Sequence, residues 1–156
     1  MKRLTDIRPL AKCKSLVELH LESGMWNELT LDSLEPLRGL KQLRYLGLSS
    51  VMKKPTLEPL SELTSLQELS LNGKFSFEDY GRLAGKLRKT KCKHFTDVFS
   101  DFSNVRACRK CKQKSLLIGV WLKGPRLCVQ CDAEKIQAWR NDFARFRDEA
   151  AKRSTW

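Results

Sequence analysis

One segment occurs three times in the first half of this chain, and that repetition constrains its folding more than any other feature. Ile7, Pro9, Leu10, Cys13, Leu16, Leu19 and Leu21 recur without a gap as Leu34, Pro36, Leu37, Leu40, Leu43, Leu46 and Leu48. They recur again as Leu57, Pro59, Leu60, Leu63, Leu66, Leu69 and Leu71. The period changes inside each unit. Leucines three apart put apolar groups on one face of a short helix, whose first turn accepts a proline because its φ is already fixed. The last two leucines alternate, as a strand requires.

A unit with one apolar side cannot bury it alone, so neighbours must stack into a continuous leucine core, and about three units is the usual minimum. Over roughly residues 4 to 75 this pattern resembles the leucine-rich-repeat family. The resemblance implies an α/β fold, a short solenoid with parallel strands on its concave face and helices outside. The commonest repeat carries an asparagine three residues after the last strand leucine, where this chain has Gly24, Val51 and Lys74. The turns after the strands must therefore satisfy their backbone in another way.

Strand alternation predicts the side chains of the concave surface: Glu18, His20 and Glu22, then Tyr45, Gly47 and Ser49, then Glu68, Ser70 and Asn72. None is a lysine or arginine. A face without cations does not grip a phosphate backbone; it suits a basic or polar protein surface. Glu18, His20 and Glu22 could be drawn together as an acid-base or metal site, but no nucleophile or further ligand set accompanies them. Cys13 stands at a repeat leucine position and reads as a buried thiol packing as a small hydrophobe.

After Leu71 the repeat decays. Asn72-Gly73-Lys74 is a turn signal, and Phe77, Tyr80, Leu83 and Leu87 recur at helical spacing, as for a helix capping the last repeat. Its end is basic, with Arg82, Lys86, Arg88, Lys89, Lys91 and Lys93, and such a run is more often a solvated helix face than a nucleic-acid footprint. Cys92 and His94 beside it are expected to pack the junction between two domains.

The strongest chemical signal lies further on. Cys108-Arg-Lys-Cys111 and Cys128-Val-Gln-Cys131 are sixteen residues apart, within the range of a four-cysteine zinc site. Four soft thiolates form a tetrahedron that zinc accepts without strain and that leaves no position open for water, which makes the expected ion structural. Between the pairs, residues 116–122 read as a strand, Lys123-Gly124-Pro125 as a turn and Arg126-Leu127 as a returning strand. This resembles a zinc ribbon, with Cys108, Cys111, Cys128 and Cys131 carried over as ligands of one zinc ion. A helix capped by Asp132 should follow, because Ile136, Trp139, Phe143, Phe146 and Ala150 recur at three and four. Its apolar stripe needs the ribbon or the flank of the repeats as a partner. The expected division is thus 1–93 for the repeats and capping helix, 94–105 for a linker, and 106–156 for the zinc-ribbon-like domain with its amphipathic helix. As a whole the chain resembles bacterial leucine-rich-repeat proteins with a C-terminal zinc knuckle, which implies an interaction role.

Charge distinguishes the two halves. The formal net charge is +12; four metal-bound thiolates and one dication would lower it by two, which leaves the protein basic. The densest cations are Arg106, Arg109, Lys110, Lys112, Lys114, Lys123 and Arg126, with no acid from Arg106 to Leu127. With Trp121 available for stacking, they form a possible nucleic-acid contact. The chain shows no paired nucleophile and base, no open metal shell and no phosphate-cradling glycine loop, so an enzyme is not expected. No apolar run approaches the ~20 residues of a membrane span, and Met1-Lys2-Arg3 opens no signal-peptide core; a cytoplasmic protein is expected. Two functions remain: a non-enzymatic module whose repeats bind a partner protein, or a nucleic-acid-binding zinc protein acting through the ribbon.

Overall fold

A computed structural model describes residues 6–22, 29–53, 55–73, 75–96, 99–101, 107–118 and 126–153. Each repeat follows the change of period found in the sequence. Of the leucines spaced by three, Leu10, Leu37 and Leu60 lie in 3-10 segments at Arg8–Lys12, Glu35–Leu37 and Glu58–Glu62, each with its proline in the first two positions, and backbone bonds three residues apart link them to the flanking leucines. A 3-10 turn has three residues per turn, which is why this spacing keeps one face inward.

The alternating leucines form β1 (Glu18–Glu22), β3 (Tyr45–Ser49) and β5 (Glu68–Asn72), parallel and hydrogen-bonded in the order β1-β3-β5. Their register is strict: Glu18 pairs with Tyr45 and Tyr45 with Glu68, His20 with Gly47 and Gly47 with Ser70, and Glu22 with Ser49 and Ser49 with Asn72. Behind them, β2 (Thr30–Leu31) and β4 (Val51–Met52) pair in a second parallel ladder. At Val51, one of the three positions without the asparagine, this ladder satisfies the backbone, for the Val51 amide donates to the Leu29 carbonyl at 2.8 Å and the Lys53 amide to Leu31 at 3.1 Å.

Leu34, Leu37, Leu40, Leu43, Leu46 and Leu48 are fully buried, as are Leu57, Leu60 and Leu63. Each such side chain stabilises the fold by about 1.5–3 kcal/mol. The first repeat differs, since Leu10, Leu16 and Leu19 are only half-buried. Cys13, expected inside, is exposed. It does occupy the position of Leu40 and Leu63, but among the described residues no earlier repeat stacks on its side. On the outer turns Arg38 joins two repeats, donating to Glu35 at 2.9 Å, Glu58 at 2.7 Å and Glu62 at 2.6 Å, and Lys41 also reaches Glu62.

The capping helix forms as α1 (Phe77–Lys86), begun by Ser76, whose Oγ accepts from the Asp79 amide at 3.0 Å. It stops at Lys86, so Arg88, Lys89 and Lys91 do not line a helix face as the sequence suggested. Instead the Lys91 amide donates to Gln67 at 2.8 Å and the Leu69 amide donates to Lys91 at 2.9 Å, which places Lys91 as a one-residue fourth rung beside Glu68. The Thr90 hydroxyl fixes this rung by donating to the Leu66 carbonyl at 2.7 Å. The short helix α2 (Lys93–Thr96) follows.

The stretch expected as a linker contributes more than a connection. β6 (Phe99–Asp101) pairs antiparallel with β7 (Ser115–Ile118), which pairs in turn with β8 (Arg126–Cys128). The last element, α3 (Ala133–Lys152), lays its aromatic stripe on α1. Phe77 meets Phe143 at 5.7 Å and Trp139 at 6.1 Å between ring centroids, and Phe99 stacks on Trp139 at 6.3 Å. The crossing is close because Gly81 and Gly85 present no side chain: a Cβ on Gly81 would stand 2.9 Å from the Phe146 Cβ, and one on Gly85 would stand 3.0 Å from the Ala150 Cβ and inside contact of the Arg147 carbonyl. No helix among the described residues is long and apolar enough to cross a membrane.

Candidate metal centre and open strand face

The two cysteine pairs are brought together by the β7–β8 hairpin and the start of α3. Cys108 and Cys111 lie in a turn closed by two backbone bonds, from the Lys112 amide to Cys108 at 2.9 Å and from the Cys108 amide to Gln113 at 2.8 Å. Closing it requires Lys112 to adopt φ 60°, in the left-handed region that glycine occupies most easily. Cys128 ends β8, and Cys131 follows in the turn before α3.

Asp132 precedes α3, yet its side chain does not cap the helix. Its Oδ2 turns back and accepts from the Cys128 amide at 2.9 Å, while its own amide donates to the Cys128 carbonyl at 3.0 Å. The residue expected as a cap thus braces the second cysteine pair.

All four Sγ atoms lie within 4.8 Å of one another. Cys111 is 3.3 Å from Cys128 and 3.5 Å from Cys131, and Cys108 is 4.0 Å from Cys131. A tetrahedral ion with sulfur ligands near 2.3 Å needs sulfur-to-sulfur edges of about 3.8 Å, so this cage has the size and donor set to hold a metal ion. Backbone amides of Cys111 and Lys110 bring the Cys108 thiol down to about 6. The sulfurs of Cys111 and Cys128 push Cys131 up to about 12. Negative charge thus settles first on Cys108, and a dication at the centre would let all four ionise.

Around the cage, Arg109, Lys110, Lys112, Lys114 and Arg126 are exposed. Arg106, Trp121 and Lys123, also expected in a nucleic-acid contact, lie outside the described residues, as do Gly24 and Lys74. Only part of that surface can therefore be assembled.

The open side of the β1-β3-β5 sheet carries the side chains read from alternation. Glu18, His20, Glu22, Glu68 and Asn72 are exposed, and Tyr45, Ser49 and Ser70 are half-buried. His20 Nε2 hydrogen-bonds to Glu18 Oε1 at 2.8 Å, and its ring lies 4.7 Å from that of Tyr45. Gly47 is buried beneath these side chains, for a Cβ there would come within 2.5 Å of Glu22 Oε1 and 3.1 Å of His20 Nδ1. Its lack of a side chain lets the β1 side chains lean across the neighbouring strand. Among the described residues the four cysteines are the cluster close enough to hold a metal.

Cys92 and His94, expected at a junction between two domains, are buried beside the capping helix, Cys92 within the leucine core. His94 is buried with its ring 5.3 Å from that of Tyr80. Burial pushes the Cys92 thiol up to about 11 and lowers the His94 imidazole below its ordinary value. Sequence reasoning missed the Arg38 bridge, the Lys91 rung and the Gly81–Gly85 crossing. Only the last had a signal, two helical glycines four apart.

No protein-family model matches this chain, and no curated protein does. Among solved structures it is similar to an internalin C2 of Listeria monocytogenes strain 4b F2365, at 29% identity and a TM-score of 0.46 over 56% of its length. It is also similar to a second internalin of that strain, at 27% identity and a TM-score of 0.45 over 56% of its length. The chain spans 35% and 24% of those two proteins.

Proposed function

We propose that this chain is a non-enzymatic interaction module in which a short leucine-rich-repeat solenoid recognises a partner protein. In this reading residues 1–93 form the recognition half, and residues 106–156 form a zinc-ribbon-like half that braces it through α3. The observation that carries the reading is the open strand face. Its polar side chains stand in register on strands whose other sides are buried leucines, so the surface is held rigid and loses little entropy on binding. Zinc is the ion assigned to Cys108, Cys111, Cys128 and Cys131, because a closed shell of four thiolates favours it and serves structure rather than chemistry.

The test compares proteins co-purified with the natural chain and with a Glu18→Ala, Tyr45→Ala, Glu68→Ala variant of equal thermal stability. Loss of a specific partner from the variant supports the reading; identical capture by both removes the strand face from it. Elemental analysis of the purified protein should find about one zinc per chain, and a folded protein free of metal would refute the assignment of the ion.

A further inference from the structure

The basic run after the capping helix is built into a groove. The Lys91 rung, the end of α1 and the last turns of α3 enclose about 960 Å³. Arg88, Lys89, Lys91 and Lys93 line it and are exposed, and among the described residues no ion pair joins any of these four to a carboxylate. The groove also contains Glu68, which lies beside Lys91 across the rung, and the ion pair of Arg147 with Asp148 at 3.0 Å. It is continuous with the open strand face, because Glu68 and Ser70 belong to both.

The backbone of Lys91 is already committed to Gln67 and Leu69, so a ligand meets side chains here rather than an unpaired strand edge. Moving along the rung from Lys91, a ligand passes Glu68 and Tyr45 and reaches Glu18. Three strand spacings make that distance about 14 Å, longer than the Debye length of about 8 Å at physiological salt. Glu18 therefore lies outside the field of the groove's cations, and Glu68 is the acid beside them.

We propose that the groove holds an acidic stretch of the partner's polypeptide, with its carboxylates on Arg88, Lys89, Lys91 and Lys93. A nucleic-acid strand carries phosphate at every step and would meet Glu68 in the groove and Glu18 beyond it. A polypeptide can be acidic over the groove and neutral or basic over the rest of the face. This deepens the protein-interaction reading and rests on it.

The probe is a fluorescein-labelled peptide of Glu-Glu-Ser repeats, titrated with the full chain and followed by anisotropy, with oligo(U) RNA as competitor. The peptide should bind, should weaken as salt rises, and should lose about tenfold or more in affinity to a Lys91→Glu, Lys93→Glu variant. An Arg88→Gln, Lys89→Gln variant should lose less, and an Arg109→Glu, Lys112→Glu variant should bind as the natural chain does. Thermal melts of each variant exclude loss of fold as the cause. The proposal is overturned by no binding up to roughly 1 mM, by equal binding to the groove variants, or by oligo(U) displacing the peptide and losing its own affinity in the same variant. If the strand-face variant loses its partner while the Lys91→Glu, Lys93→Glu variant keeps it, the groove assignment fails and the strand-face reading stands; if both keep it, both fail.

Discussion

Gly85→Ala tests the crossing of α1 and α3 with a substitution whose usual effect has the opposite sign. In a helix interior, alanine in place of glycine stabilises by about 1 kcal/mol. Here the new methyl would lie 3.0 Å from both the Ala150 Cβ and the Ala151 amide nitrogen, and closer still to the Arg147 carbonyl. Ordinary carbon contacts lie at about 3.5–4.0 Å, and a gap of about 0.5–1 Å forfeits a quarter to a half of the attraction along an interface. The obstacles include α3 backbone, which cannot rotate away, so α3 must move as a unit. Overpacking of this kind costs about 1–3 kcal/mol, and after the propensity gain a net loss of up to about 2 kcal/mol is expected. At about 2–4 °C per kcal/mol for a chain of this size, Tm should fall by several degrees. Urea and thermal unfolding measure it, with Gly81→Ala as an internal comparison. That methyl meets the Phe146 Cβ at 2.9 Å and the Phe143 carbonyl at 3.2 Å, so its effect should be smaller. A stabilised Gly85→Ala protein would show that the helices do not approach as described.

Three further outcomes follow from particular residues. His94 has a folded-state pKa below its ordinary 6.5, so the unfolded chain takes up a proton that the folded one resists and stability falls as pH drops below about 6.5. Cys92, raised from 9 to about 11, gives the converse loss as pH climbs above about 9; urea midpoints across pH should show both losses, and His94→Phe should flatten the acid one. Lys112→Gly should leave stability unchanged or raise it by up to about 1 kcal/mol, because φ 60° costs glycine nothing, whereas Lys112→Val should lower it, both read from chemical unfolding. Chelation should lower Tm and make the thiols of Cys108, Cys111, Cys128 and Cys131 titratable by a thiol reagent; unchanged reactivity would show that no ion holds them.

The repeats could be read from sequence because their information is periodic. Leucines at three and then at two report the 3-10 turn and the strand separately, and three copies fix the register. The cysteine pairs were equally readable, since ligand spacing is a local property. What sequence could not supply was tertiary. Cys13 repeats the pattern of Leu40 and Leu63 yet is exposed, because burial depends on what stacks outside it. Asp132 has the chemistry of a helix cap but finds a nearer donor in the Cys128 amide. The Arg88 to Lys93 run continues the charge of a helix whose spacing ends at Leu87, and only the backbone bonds of Lys91 to Gln67 and Leu69 turn it into the wall of a groove. The strand at Phe99–Asp101 gave little warning within a phenylalanine-rich connector, as its partner lies beyond the first cysteine pair.

Helix α3 begins beside Cys131 and ends against the glycines of the capping helix, so one rigid rod about 30 Å long has an end in each half of the molecule. Whatever ion fills the cage anchors the rod's first turn, while the rod's last turns press on the cap that closes the leucine core. Binding of an ion in the cage would thus be coupled to the stability of the repeats. Amides of the capping helix should exchange faster when the ion leaves, though none of its ligands belongs to that helix.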